Sequence, residues 1–490
     1  MRLFRAAEAA AKLVPQRQQA HRRASRRRLE APYGPALEGG RPRVPQGARK
    51  GRRCTSRGFP LFSKRNRRSK RRHTLMKIEV NKGLLHGALP AALMSVSVGQ
   101  IYAFTNFAGD ISSHIGCSES GVQWAFSLGI LFLGLGAAFF GRLTERDIRA
   151  SACVGSLLFL SGLLLAQWGV IARQLPLVLA GYGALVGLGT GVIYITPVKA
   201  MMMWFPGRKA LASAVPIVSF GLGSSLATLL YREFIPLGIG KALACFALFY
   251  AFPLGAGSLL LRKPAQCGQG AAAPAAGQGG GFSYWRLVKE PFFVSAWSFM
   301  LINVTAGLCF IPVAKRLMCM VGYSQAAVTA FVALSGVASA AGRLAYAYAA
   351  DRAGKAEGRR RTEVLYAIAL DSIVALCLSA VFPEAFGVSL LLISACYGAG
   401  FSVIPSVLAD RFGMADISKI HGAVLTAWGV AGLVGNQIAT AILDRFGDSA
   451  WGFGALLLTA FAMHMANVWG GISRMDSEMR RIGSAADPRK

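Results

Sequence analysis

Twelve predominantly apolar stretches, each long enough to cross a bilayer, fill the chain after residue 83. A transmembrane helix needs about 20 such residues, because every backbone amide in hydrocarbon has to be hydrogen-bonded within its own helix. Charged residues make up only 16% of the 490 residues, too few to cover soluble domains. The sequence therefore predicts an all-α polytopic membrane protein with twelve transmembrane helices. The predicted spans are 84–108, 121–143, 149–170, 175–200, 208–230, 240–261, 291–316, 325–350, 362–381, 386–409, 419–442 and 450–473.

A segment rich in Gly, Ala, Pro and Gln separates the sixth span from the seventh and has the composition of a flexible linker. We therefore expect two pseudo-symmetric six-helix bundles, at 76–261 and 291–474. Residues 262–290 would form the linker between them, and residues 475–490 a tail.

The first 75 residues are strongly basic, with 23 Lys and Arg against 3 Asp and Glu. They lack an apolar stretch long enough for a signal peptide and are expected to be disordered. Three interpretations stay open: a basic arm for nucleic acid or anionic lipid, an Arg-rich transit peptide, or translated sequence upstream of the true start. We favour the third, because Met76 is followed at once by a short polar lead and the first apolar span.

Lys and Arg are unevenly distributed between the two sets of connections. The connections that follow even-numbered spans carry fifteen of them, and those that follow odd-numbered spans carry six. Because short cytoplasmic loops are enriched in Lys and Arg, both termini and the linker are predicted to be cytoplasmic. The predicted location is the inner (plasma) membrane of the cell.

The two halves repeat one charged turn. GRLTERDIR follows the second span and AYAADRAGK follows the eighth, so that Glu145-Arg146 matches Asp351-Arg352 at a separation of 206 residues. An acid beside an Arg at the same end of corresponding helices suits a latch that breaks when two bundles rock. The alternative is an ordinary solvated loop.

Several motifs resemble a known family. The G-x-x-x-[DE]-R turn after spans two and eight, with twelve helices and a central linker, resembles the major facilitator superfamily. GQIYAF, GTGVIYITPV, WFPGRKALA, SFGLGSS and TAWGVAGLVG are similar to segments of the oxalate/formate antiporter family, which also includes monocarboxylate-transporter-like branches. The resemblance covers about residues 76–474.

Arg343 is the strongest candidate for binding a substrate. It lies eight residues before Asp351, hence about 12 Å from the end of its helix at about 1.5 Å per residue, near the middle of the bilayer. A planar guanidinium there can hold a carboxylate by two hydrogen bonds. The alternative is a structural Arg bonded to helix carbonyls or to an internal acid. The resemblance implies an anion-binding Arg at this place in the eighth helix.

Two departures from the resembled families bear on the substrate. Oxalate-handling members pair the Arg with a Lys in the eleventh helix, but residues 421–442 contain no Lys and Trp428 stands in that region. Proton-linked monocarboxylate carriers tend to have an Asp one turn before the Arg, where this chain has Ser339. One cation suits one carboxylate, so we expect a small monocarboxylate such as formate, pyruvate or lactate, with oxalate kept open.

Aromatic and amide side chains are expected to complete the substrate pocket around Arg343. An inward-facing tyrosine can equally pack against neighbours or face lipid. The candidates are Tyr102, Gln123, Tyr194, Tyr397 and Trp428.

Two further ionisable residues lie in or beside the spans. Asp371 is the acid deepest within a span, and a pairing role is favoured over that of proton carrier because the ninth helix is peripheral in the resembled fold. Lys199 closes the fourth span and is interpreted as an interfacial anchor.

No pattern in the sequence indicates an enzyme, a metal centre or a cofactor. The nine cysteines are not spaced as C-x-x-C, and no Walker motif occurs. The predicted function is secondary active transport of a small organic anion by alternating access, through exchange. The alternatives are a carboxylate sensor without turnover and a proton-coupled symporter. The expected partners are a small carboxylate and membrane lipid, without nucleic acid, for a monomeric protein.

Overall fold

The computed structural model describes residues 81–264, 283–311, 313–356 and 360–485. All of them belong to one unit, Arg68–Lys490. The basic segment 1–75, most of the predicted linker and the last residues of the tail lie outside the described residues.

Twelve helices of this part are long and apolar enough to cross a membrane, which confirms the predicted fold class. They are α1 (Asn81–Phe104), α2 (Glu119–Arg146), α3 (Ile148–Ile171), α4 (Leu175–Trp204), α5 (Pro206–Leu237), α6 (Ile239–Leu260), α7 (Pro291–Leu308), α8 (Gln325–Ala353), α9 (Thr362–Val381), α10 (Pro383–Phe412), α11 (Ile417–Phe446) and α12 (Ala450–Arg481).

The seventh span is shorter than its apolar run predicts. The sequence predicts a helix over 291–316, whereas α7 ends at Leu308 and a separate short helix occupies Ala314–Met320. Pro312 lies between the two helices in the sequence, and proline has no backbone N–H to donate to a helical hydrogen bond. The apolar run therefore contains one spanning helix and a short second one.

Several helix pairs join the halves. α2 of the first half packs along α11 of the second, and α5 packs against α8. At Gly422 the backbones of α11 and α2 approach so closely that an added Cβ would lie 2.0 Å from the carbonyl oxygen of Ala137. Small residues allow such close packing between membrane helices.

Asp371 is held within the second half by a hydrogen bond between helices. The hydroxyl of Tyr346 in α8 donates to the Asp371 carboxylate in α9, and it also lies 3.7 Å from the Cys396 sulfur in α10. This contact agrees with the pairing role that the sequence favours for Asp371.

We expect Tyr346→Phe to destabilise the protein, because it removes the donor to an acid inside a span. Hydrogen bonds between membrane helices contribute about 1 kcal/mol, so the melting temperature in detergent should fall by a few degrees. Tyr348→Phe is the matched control, since Tyr348 lies on the same helix and is exposed. Equal melting temperatures for the two variants would contradict the structural role of this bond.

Candidate functional site

Arg343 lies in α8 at the boundary between the halves and is 9% exposed. Its Nη1 donates a hydrogen bond of 3.2 Å to the carbonyl oxygen of Ile217 in α5. Within the described part of the chain, its Nε is buried without a hydrogen-bond partner, and no salt bridge joins Arg343 to an acid. A guanidinium has five N–H donors, so a buried one in this state retains unused capacity to bind an anion.

Gly221 in α5 provides the space for the head of Arg343. A Cβ added at Gly221 would lie 2.2 Å from Nη1 and 3.5 Å from Cζ of Arg343. The guanidinium therefore lies directly on the backbone of α5. In this way the first half of the protein contacts the charge that the second half supplies.

An aromatic cluster surrounds the boundary at this depth. Its members are Tyr102 (α1), Tyr194 (α4), Phe220 (α5), Tyr397 and Phe401 (α10) and Trp428 (α11). The centroid of the Trp428 ring lies 4.6 Å from that of Phe401 and 5.4 Å from that of Tyr194. The Phe220 ring lies 5.6 Å from Tyr102 and 5.3 Å from Tyr194. Both halves of the protein thus contribute to one apolar wall.

The aromatic cluster also carries polar groups that interact with one another and with Arg343. The side chains of Tyr102 and Tyr397 interact with each other, and Tyr397 also interacts with Trp428. Tyr102, Tyr194 and Tyr397 each lie within electrostatic range of Arg343. The site combines one cation with phenol groups that can donate hydrogen bonds to an anion.

The helix that carries Tyr102 is irregular at this point. Residues Gly99–Asn106 form a 3-10 helix at the end of α1. At Gly99 the backbone meets the carbonyl oxygen of Phe220 in α5, which leaves no room for a side chain. Short 3-10 turns are frequent at helix ends, but a run longer than about four residues is uncommon.

The structure brings five of the six predicted substrate-binding residues together, and Gln123 is the exception. Gln123 lies in the second turn of α2, is exposed, and donates to Glu119 at 3.3 Å. Gln123 lies near the start of α2 and not near its middle. Several helical turns therefore separate it from the depth at which Arg343 lies. Its expected place in the pocket is not supported.

Sequence reasoning missed Phe220 and Phe401. Phe401 follows Tyr397 by four residues, which places both rings on one face of α10, 5.4 Å apart. Phe220 belongs to the SFGLGSS segment, whose glycines and serines indicate close packing but give no sign of an aromatic wall. Helical spacing from Tyr397 is the signal that could have found Phe401.

The first latch joins the halves through Glu145 of α2. Its Oε1 accepts a hydrogen bond of 2.6 Å from the backbone N–H of Ser418, at the start of α11. Lys199 of α4 forms an ion pair with the same carboxylate. Lys199 is buried at 6% exposure, so its predicted role as an interfacial anchor is wrong. A carboxylate at a helix N-terminus is stabilised by free N–H groups and by the helix dipole.

The second latch repeats this arrangement through Asp351 of α8. Its two oxygens accept from the backbone N–H groups of Ala210 at 3.1 Å and Leu211 at 2.9 Å, in the first turn of the regular helix of α5. Arg361 contacts both Asp351 and Asp410, and Lys209 reaches Asp410 at 3.4 Å across the boundary. Each half therefore caps one helix of the other.

The arginines of the repeated turns do not cross the boundary. Arg146 and Arg352 are exposed, and the guanidinium of Arg352 lies 5.7 Å from the Tyr348 ring on its own helix. The acid of each predicted pair makes the contact between halves, and the partner is a helix N-terminus. We call the end of the helices that carries Glu145 and Asp351 the latch end.

Tyr284, in the short helix Tyr284–Lys289 that precedes α7, also bridges the boundary at the latch end. Its hydroxyl donates to the carbonyl oxygen of Ala138 at 2.5 Å, and its ring lies 4.8 Å from Lys419 Nζ and 5.7 Å from Arg142. Burial raises the pKa of Tyr284, which keeps the phenol protonated as a donor.

The opposite end of α8 is open. α8 is the least buried of the twelve spans, and its consecutive residues Val332, Ala333 and Leu334 are all exposed. Successive residues of a helix point about 100° apart, so more than one face is uncovered there. The half of α8 away from the latch end is therefore less covered by neighbouring helices than most spans are.

Twelve spanning helices in two halves, with a buried cation between them and latches at one end, define a transporter-like membrane protein. A model of the Major Facilitator Superfamily matches residues 89–436, more than half of the chain. The chain belongs to the major facilitator superfamily, as its motifs predict, and is therefore a membrane transporter and not an enzyme.

Curated relatives are similar at low identity. The Oxalate:formate antiporter of Oxalobacter formigenes is 24% identical over 393 residues, covering 77% of this chain and 88% of that protein. The Uncharacterized MFS-type transporter YhjX of Escherichia coli (strain K12) is 24% identical, covering 69% and 83%. Monocarboxylate transporter 12 of Rattus norvegicus is 25% identical, covering 69% and 74%. The predicted resemblance to the oxalate/formate antiporter family is thus confirmed.

Solved structures share the fold. A bacterial homologue of the iron transporter ferroportin in an outward-facing state superimposes with a TM-score of 0.61 at 12% identity, covering 80% of this chain and 98% of that one. A variant of the Escherichia coli fucose:proton symporter FucP gives a TM-score of 0.55 at 17% identity, covering 77% and 97%.

We expect Asp351→Asn and Glu145→Gln each to favour opening at the latch end, because each removes a charge-assisted hydrogen bond of about 1.5–3 kcal/mol. Spin labels on the exposed positions 208 and 352 should report a larger distance by double electron–electron resonance. Asp147→Asn is the matched control, since Asp147 caps α3 within its own half. Unchanged distances in both latch variants would contradict this role.

We expect Gly221→Ala to fold normally but to weaken binding at the site, because its methyl group would displace the guanidinium of Arg343. The affinity of the site for a carboxylate should fall, while the melting temperature of the protein changes little. Gly255→Ala in α6 is the matched control, since a Cβ there meets nothing within 4 Å. Equal carboxylate affinities in the two variants would show that the guanidinium of Arg343 does not need the space at Gly221.

Proposed function

We propose that the protein is a secondary transporter that carries a small monocarboxylate by alternating access and exchanges one anion for another. Arg343 is the anion-binding group. The aromatic cluster forms the walls of the pocket, and Glu145 and Asp351 hold the latch end shut in the state described above. The latch end faces the cytoplasm in this proposal, in agreement with the distribution of Lys and Arg.

The observation that carries the proposal is the unused donor capacity of Arg343. A buried guanidinium with one hydrogen bond to Ile217 and an unpartnered Nε is costly unless an anion joins it. A carboxylate can accept two parallel hydrogen bonds from such a group. Hydroxyls of Tyr102 and Tyr397 can donate to the same anion.

The charge of the site favours a monocarboxylate over a dicarboxylate. Arg343 is the only cation associated with the aromatic cluster among the described residues, because Lys199 is paired with Glu145 at the latch end. The names of the relatives, an Oxalate:formate antiporter and Monocarboxylate transporter 12, support a small carboxylate for this chain too.

Exchange follows from the same charge. An empty site keeps a desolvated guanidinium between the halves, and moving it from one access state to the other is unfavourable. A bound carboxylate neutralises it and makes the crossing possible. Net flux without a counter-anion would then be slow compared with exchange.

We expect Arg343→Ala to abolish counterflow in proteoliposomes loaded with unlabelled formate and supplied with labelled formate outside. Losing the charged partner of a buried anion costs about 2–5 kcal/mol, so uptake should fall by about 30-fold or more. Arg343→Lys should retain part of the activity, because it keeps the charge but loses the planar fork.

Arg232→Ala is the matched control, since it removes the same charge from an exposed position at the end of α5. Full counterflow in Arg343→Ala would contradict the proposal. Carboxylate binding to the wild-type protein without counterflow would indicate a sensor. Uptake that is driven by a pH gradient into vesicles without formate would show that the protein is a proton symporter and not an exchanger.

A further inference from the structure

A second basic site lies outside the aromatic cluster, on the surface of the latch end. A cavity of about 480 Å³ is lined there by six residues, four of which are cationic. They are Arg146, Asp147, Ile148, Arg149, Arg262 and Lys263. With one acid among them, the lining carries three net positive charges. We call this cavity the basic pocket.

The basic pocket is formed where the α2–α3 turn meets the end of α6. Arg149 joins the two by donating from Nε to the carbonyl oxygen of Leu261 at 3.0 Å and from Nη2 to that of Leu259 at 3.3 Å. The indole of Trp204 donates to the carbonyl oxygen of Arg262 at 2.9 Å. These bonds fix the backbone and leave the guanidinium groups of Arg146 and Arg262 exposed around the cavity.

The pocket lies at the end of an apolar surface. α3 and α6 pack side by side, with the Ser156 and Ser258 hydroxyls 3.2 Å apart. Beside these serines, Leu157 and Leu259 are 66% and 73% exposed, and Phe252 further along α6 is 79% exposed. In a spanning segment, such residues face lipid chains. A group in the basic pocket therefore lies where the headgroup of a lipid on this surface would be.

The pocket is also connected to the first latch. Nζ of Lys263 donates to the carbonyl oxygen of Arg146 at 2.9 Å and lies 3.5 Å from that of Glu145. Glu145 is the residue whose side chain caps α11. An anion held by Lys263 and Arg262 would thus be tied to the turn that closes the latch end.

We propose that the basic pocket binds the phosphate of an anionic phospholipid, with the acyl chains lying along the outer surface of α3 and α6. Basic clusters at the cytoplasmic surface attract anionic lipid, each Lys or Arg contributing about 1 kcal/mol. The predicted orientation places the pocket in that leaflet. The bound headgroup bridges the α2–α3 turn and the end of α6, and so stabilises the turn that carries Glu145.

The test measures lipid binding to the full-length protein by native mass spectrometry, with phosphatidylglycerol and phosphatidylcholine as probes. The wild-type protein should retain phosphatidylglycerol preferentially. The double variant Arg262→Gln with Lys263→Gln should bind it about 10-fold or more weakly. The charge-retaining variant Arg262→Lys with Lys263→Arg should restore binding, which excludes misfolding as the cause.

Arg286→Gln with Lys289→Gln is the matched control, because it removes two exposed charges from another part of the latch end. Equal loss in this control would show a general surface charge effect and would overturn the proposal. Displacement of the lipid by inorganic phosphate, with phosphate alone bound at the pocket, would assign the site to free phosphate and overturn the lipid assignment. No preference for phosphatidylglycerol in the wild-type protein would also overturn it.

Discussion

A buried guanidinium between two helix bundles is the constraint on which the other features depend. Burying the charge of Arg343 is unfavourable unless hydrogen bonds and an anion compensate for it. The backbone of α5 supplies one hydrogen bond, from Ile217, and Gly221 supplies the space. Because α8 carries the charge and α5 receives it, any rocking of the halves changes the environment of Arg343. In the proposed mechanism, substrate binding and conformational change are therefore coupled at one residue.

The two latches lie at the latch end of the helices, at a different depth from Arg343. Glu145 and Asp351 each cap a helix of the opposite half, in addition to the packing of α2 along α11 and of α5 against α8. These charge-assisted contacts add to the interface that holds the latch end closed. The exposed half of α8 lies at the end of the helices opposite to the latches.

The fold could be predicted from the sequence almost completely, because hydrocarbon requires about 20 apolar residues per span and leaves few alternatives. Arg343 could be proposed because ionisable residues in mid-span are rare. Tyr102, Tyr194, Tyr397 and Trp428 could be proposed because each carries a hydrogen-bonding group on an aromatic ring within a span. Gln123 lies away from the cluster because it is near the start of α2, as the predicted span 121–143 already implies. The partner of Glu145 could not be predicted, since a backbone N–H at the start of α11 has no side-chain signature. The ion pair between Lys199 and Glu145 could not be predicted either, because it depends on how α2 and α4 pack together.

The most direct test of the proposed site is a diffraction experiment on crystals of the protein soaked in (methylseleno)acetate, an unreactive monocarboxylate whose selenium has an anomalous signal. We predict selenium density within the aromatic cluster, with the carboxylate bound to Arg343. Selenium sites only elsewhere, with Arg343 still bonded only to Ile217 and the cluster empty at a saturating concentration of the probe, would contradict this assignment.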